Sequence, residues 1–166
     1  MKLKNNKKGF TLVELLAVII VLSLILVLIV PNVLNNMNNA RRRTVAMYGQ
    51  ILVSNAQTIY QNFILMGTED ADSSRLIPNS TSNPTSYCIN INQLGLQNTG
   101  TYVGYIIITP STAGVQYDLH MTDKATYVVN KENAQTGISS AANGGDVQSG
   151  STITAPTGYA GCYSAS

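Results

Sequence analysis

Few residues of this 166-residue chain are equipped for chemistry. The most conspicuous is Glu14, a carboxylate inside an apolar run from Phe10 to Val30-Pro31 that only Thr11 and Ser23 otherwise interrupt. A carboxylate surrounded by hydrocarbon is costly and usually functional, and what it needs is a cation. Directly before the run stand Lys7, Lys8 and Gly9. Hydrolysis of the Gly9-Phe10 bond would create one such cation, an ammonium at Phe10, available to Glu14 from its own chain or from a neighbour. The two cysteines, Cys88 and Cys162, form an even pair, which in an exported domain reads as a disulfide. In a reducing habitat they would instead be two free thiols.

The remaining reactive groups imply little. His120 is the single histidine, placed with Asp118 on the polar face of a predicted strand. Neither a nucleophile nor metal-ligand spacing accompanies it, so it reads as a surface histidine. Glu69, Asp70 and Asp72 lack the regular spacing and the glycine of a calcium loop. Gly100 to Gly104 and Gly144-Gly145 lack the helix and lysine that a phosphate loop requires. Asn79-Ser80-Thr81 spells a glycosylation sequon by letter alone. The expectation is a protein that is not an enzyme, with no catalytic residue, no metal and no cofactor.

About 20 apolar residues at roughly 1.5 Å each cover the roughly 30 Å oil layer of a membrane. Three readings compete. A cleaved secretory signal would have a shorter apolar core followed by a small-residue cleavage site, and no Ala-x-Ala follows this one. A plain signal anchor has the right length but gains nothing from Glu14. Cleavage at Gly9-Phe10 leaves the apolar block as the new N-terminus and gives Glu14 its partner.

The stretch Gly9-Phe10-Thr11-Leu12-Val13-Glu14-Leu15, behind a short basic leader, resembles the N-terminal signature of the type IV prepilins and their pseudopilin relatives. That resemblance covers the N-terminal third. It implies cleavage after Gly9 and methylation of the Phe10 amine by a prepilin peptidase. It also implies that Glu14 neutralises the Phe10 amine of an adjacent identical subunit as the membrane-embedded assembly machinery builds a filament. Pro31 falls where many pilins carry a helix-disrupting proline, whereas Ser23 stands where many have a glycine. The expected product is the structural subunit of a surface pilus serving adhesion, motility or aggregation. A pseudopilin of a secretion or DNA-uptake machine is the first alternative, and a membrane-anchored binding domain that never polymerises is the second.

Four segments must position these residues. The leader, residues 1–9, carries Lys2, Lys4, Lys7 and Lys8 and no acid, which keeps it cytoplasmic under the positive-inside rule. Residues 10–31 form the apolar membrane or filament-core helix. Residues 32–66 continue it as an amphipathic helix, kinked near Pro31 and ended by Gly67. Its apolar stripe is read as Met37, Ala40, Thr44, Tyr48, Leu52, Ala56, Ile59, Phe63 and Met66, with core packing from Tyr48 onward. Arg41, Arg42 and Arg43 point about 100° apart and read as a solvated ring of charge or as partners for anions or other subunits.

Residues 67–166 are the exported domain. A connector to Ser86 leads into strands at Tyr87 to Ile91, Tyr102 to Thr109, Val115 to Met121 and Ala125 to Val129, with a hairpin turn at Thr122-Asp123-Lys124. From Asn130 the Gly-, Ser- and Thr-rich tail is expected to depend on the disulfide. A one-sided helix beside a sheet with one apolar face gives an α+β fold, the long helix packed on an antiparallel sheet. With 11% charged residues and a net charge of +2, the chain advertises no nucleic-acid partner.

Overall fold

The computed structural model describes residues 10–67, 73–96 and 101–163. They form one long helix, α1 (Leu12–Met66), and six strands: β1 (Ile77–Pro78), β2 (Tyr87–Asn90), β3 (Val103–Ser111), β4 (Gly114–Thr122), β5 (Tyr127–Lys131) and β6 (Val147–Ser149). The strands pair antiparallel in sequence order, β1-β2-β3-β4-β5-β6. The fold is α+β. The chain divides into two compact units, Met1–Asn38 and Asn39–Ser166.

In the first unit the helix is apolar on every side, and its side chains from Leu12 to Leu34 are exposed. One window of α1 is long and apolar enough to cross a membrane, and none of it is buried. The α-helical assignment runs through Pro31 without a break. Ser23 Oγ donates to the Ile19 carbonyl at 2.7 Å, so this hydroxyl costs the apolar surface no unpaired donor.

In the second unit the inward face of α1 is Val45, Ala46, Gly49, Leu52, Val53, Ala56, Ile59 and Tyr60. Of the expected stripe, Leu52, Ala56 and Ile59 are buried and Tyr48 and Phe63 pack against the core. Ala40 and Thr44 are exposed, as are Met37 at 48% and Met66 at 68%. The buried face also takes in Val45, Ala46, Val53 and Tyr60, which lie beside the expected stripe, and its close contact is made at Gly49. A Cβ there would lie 2.7 Å from Ile138 Cδ1 and 2.9 Å from Leu119 Cδ2, so the absent side chain sets how closely the helix approaches the sheet. Gly67, at φ +71°, follows the helix as expected of a C-terminal glycine.

The sheet departs from expectation in covering both faces. Ile89, Ile106, Ile108, Tyr117, Leu119, Met121 and Val129 join the helix in the main core. The alternate residues Cys88, Tyr105 and Val128 form a second cluster with Ile153, Tyr159 and Cys162. The segment after Asn130 therefore contributes a strand, three buried residues of the main core (Ala134, Ile138 and Val147), and a cover for the outer face. A tail expected to depend on the disulfide is also held by burial, because its few apolar residues meet an already apolar sheet. The connector likewise contains β1, which pairs Ile77 with Cys88 and Pro78 with Tyr87. Strands of two and three residues are too short to show any periodicity in sequence.

Candidate functional site

The first turn of α1 is built by Thr11 and Glu14. Thr11 Oγ1 accepts from the Glu14 amide at 3.3 Å, and Glu14 Oε2 accepts from the Thr11 amide at 2.8 Å and from Thr11 Oγ1 at 2.9 Å. This reciprocal arrangement is a capping box, which satisfies amides that the start of a helix leaves unpaired. Sequence reasoning missed it, although Thr11-x-x-Glu14 ahead of an apolar run is its signature. Glu14 thus has a structural function within its own chain, contrary to the reading that an anchor gains nothing from it. The box engages one carboxylate oxygen, and Oε1 has no hydrogen bond among the described residues. Phe10, 89% exposed, stands directly before the cap. Gly9 and the rest of the leader lie outside the described residues.

Cys88 and Cys162 are joined by a disulfide, with Cα atoms 6.1 Å apart. Around it, Asn90 Nδ2 donates to the Cys162 carbonyl at 2.8 Å, and Ser86 Oγ and the Tyr159 hydroxyl lie 2.6 Å apart. Tyr105 Oη donates to the Thr154 carbonyl at 2.9 Å. The bond and these contacts hold the segment around 153–163 on the outer face of β2 and β3.

The arginine triplet divides by function. Arg42 is half-buried; its Nη1 donates to the Val147 carbonyl at 2.7 Å and its guanidinium carbon lies 5.2 Å from the Tyr127 ring centroid. Such a stacked guanidinium is worth about 0.5–2 kcal/mol, so Arg42 fastens α1 to β5 and β6. It is neither a solvated charge nor free for an anion. Arg41 and Arg43 are exposed.

The predicted turn between β4 and β5 extends to Thr126, so Ala125 and Thr126 are not strand. Asp123 Oδ1 accepts from the amides of Ala125, Thr126 and Tyr127 at 3.0, 2.7 and 2.8 Å. Burial pushes this carboxyl up, but its backbone hydrogen bonds together outweigh that and hold it below its ordinary value of 3.8.

The lesser candidates resolve as follows. Asn79 has both ends of its amide in use, donating to Thr85 Oγ1 at 2.8 Å and accepting from the amides of Thr85 and Ser86 at 3.0 and 3.3 Å, so the sequon letters serve a loop closure. His120 is partly covered: its ring stacks on Tyr105 at 4.9 Å, and its Nδ1 is 2.9 Å from Asn130 Oδ1. Among the described residues no three His, Cys, Asp or Glu side chains form a metal-binding group. Glu69, Asp70 and Asp72 lie outside those residues.

No curated protein and no solved structure gives a significant match to the chain. Residues 4–30 match the family model described as the prokaryotic N-terminal methylation motif. The matched stretch contains Gly9, Phe10, Thr11 and Glu14, and it leads into α1, the one helix among the described residues long and apolar enough to cross a membrane. This chain therefore carries a prokaryotic N-terminal methylation motif on a long apolar helix, a combination consistent with a type IV pilin-like or pseudopilin prepilin.

Proposed function

We propose that the protein is a pilin precursor, held in the membrane by residues 10–31, cut after Gly9 by a prepilin peptidase, methylated at Phe10 and polymerised by the assembly machinery into a surface fibre. Its role is structural, and adhesion, surface motility or aggregation are the tasks such a fibre serves. The observation that carries this reading is the exposed apolar half of α1, headed by a matched methylation motif. Once drawn out of lipid, a helix apolar all round must be buried in protein, and a bundle of identical helices supplies that burial. Glu14 joins the bundle by neutralising the Phe10 ammonium of an adjacent subunit. Pro31 is the position at which the helix would bend to suit the packing.

The test is to image fibres on cells with a label on this protein, beside a Gly9→Val variant. The proposal expects long labelled fibres from the unsubstituted chain. It expects none from the variant, whose branched side chain blocks the cleavage cleft and leaves a membrane-bound precursor. Short envelope-bound assemblies would point to a pseudopilin, and fibres from Gly9→Val would overturn the processing step.

A further inference from the structure

Asn143-Gly144 is the one Asn-Gly pair in the chain, and it lies in the loop between the short helical turn Ala134–Thr136 and β6. The neck of that loop is fixed. The Ser139 carbonyl accepts from the amides of Asp146 and Val147 at 2.9 and 3.3 Å. Asp146 Oδ2 accepts from the Ser139 amide at 2.7 Å, and Asp146 Oδ1 lies 3.2 Å from Lys131 Nζ. The tip is held by far less. Ala142, Asn143 and Gly144 are exposed, and neither the Asn143 side chain nor the Gly144 amide makes a hydrogen bond among the described residues.

Asn79, Asn90, Asn130 and Asn133 differ, because each has its side-chain amide engaged. Asn79 spans its own loop, and Asn90 donates to the Cys162 carbonyl while accepting from the Asn92 amide. Asn130 meets His120, and Asn133 accepts from Gln135. Asparagine is a thermally labile residue, and its loss waits on the next backbone nitrogen reaching the side-chain carbonyl carbon. Gly144 presents a nitrogen that no side chain screens, and it sits at φ +70°, where glycine is at ease.

We infer that Asn143 converts itself, without an enzyme, to a mixture of aspartate and isoaspartate, a modification site at the tip of this loop. The Gly144 nitrogen loses its proton to solvent base and bonds to Asn143 Cγ. The Cγ–Nδ2 bond breaks, and Nδ2 departs as ammonia with a proton taken from water, leaving a cyclic imide. One water then opens the imide. Breaking the bond from nitrogen to Cγ restores the backbone with aspartate at 143. Breaking the bond from nitrogen to the main-chain carbonyl carbon routes the backbone through Cγ as isoaspartate. Water is the sole co-reactant, and nothing is oxidised or reduced.

Either product adds a negative charge to a loop whose neck cation, Lys131, is already paired with Asp146. The extra backbone atom of isoaspartate falls in the tip, where chain changes are best tolerated, so the neck and β6 are expected to stay in place. The inference concerns the single chain and stands apart from the pilin reading; in a fibre the same charge would recur on every copy.

The test ages the full purified chain in detergent at neutral and at mildly alkaline pH, natively and in urea. Peptide mapping by mass spectrometry follows each asparagine, and isoaspartyl methyltransferase is the probe for isoaspartate. Because opening a free loop tip costs almost nothing, Asn143 is expected to convert natively within about twofold of its rate in urea. Conversion should be faster at alkaline pH, with Asn79 unchanged in the native chain. Gly144→Ala is expected to slow conversion roughly tenfold, in urea as in the native state, because its methyl group screens the nitrogen. Asn143→Gln should keep the parent's urea midpoint and show no conversion over the same period. Asn143 left intact in the native chain, equal conversion at Asn79, or a Gly144→Ala chain that converts as fast as the parent would each overturn the inference.

Discussion

Glu14 caps α1 and, in the proposed filament, would also neutralise the Phe10 ammonium of a neighbour, and substitutions can separate the two roles. The capping box needs only an acceptor at this position, so Glu14→Gln keeps the Thr11 amide satisfied while losing the charge. Neutralising the Phe10 ammonium of a neighbour needs the charge. We predict that Glu14→Gln and Glu14→Ala are both exported and cleaved yet release little sheared fibre, with Glu14→Asp between them and the parent. Recovery of fibre in Glu14→Gln would assign Glu14 to the cap alone. Thr11→Val, which cannot form the box, should lower fibre yield in part, and Thr11→Ser should restore it. A second titratable residue sets a pH limit. The folded-state pKa of Asp123 lies below its ordinary 3.8, so its stabilisation is full above that value and is lost as pH falls through the folded value. Urea unfolding of the second unit between pH 5 and pH 2 should thus show a decline that Asp123→Asn largely removes. Glu14 was legible as the anomalous residue in its run. Its partner Thr11 was not, because a carboxylate in hydrocarbon points first to a countercharge, whereas the cap that holds it is a local exchange of hydrogen bonds with a neutral residue.

At the scale of elements, the long helix, the four main strands and the disulfide could be read from hydrophobic patterning and from an even cysteine pair. The inward helix face was legible from Tyr48 to Phe63 but incomplete, because hydrophobic periodicity cannot show that a glycine makes the closest contact. Gly49→Val should strike Ile138 and Leu119, whose methyl groups lie within 2.9 Å of the position a Cβ would take. A cost of about 1–3 kcal/mol is expected from such overpacking, measurable as a lower urea midpoint. The edge strands and the covering segment were illegible for a different reason: two or three residues carry no period, and burial by Ile138, Val147, Ile153 and Tyr159 depends on an apolar partner face formed far away in sequence. This alters the expected effect of reduction. Closing 74 residues of separation, the Cys88–Cys162 bond is worth roughly 4 kcal/mol in the chain-entropy model. Residues up to Ser149 are also held by β6 pairing and by Arg42. Cys88→Ser should therefore open protease cleavage from about Gly150 onward and spare residues 130–149, as peptide mapping would show; equal resistance of variant and parent would contradict this.

Among the described residues, an apolar helix segment that none of them buries is joined to a domain whose exposed large apolar side chains all lie along that same helix. In the proposed reading such a monomer resides in a membrane, and outside it the apolar span would need burial in other copies. The methylation motif and the apolar span are legible in the sequence because both are local in the chain, whereas the full inward face of α1 depends on the sheet packed against it. Processing is the step on which the account turns, because a retained leader would keep the chain in the cytoplasmic membrane. Mass spectrometry of the N-terminal peptide from sheared surface material tests it most directly. The account predicts a peptide that begins at Phe10 and carries one added methyl group on its amine; a peptide beginning at Met1, or at any residue inside the apolar run, would contradict it.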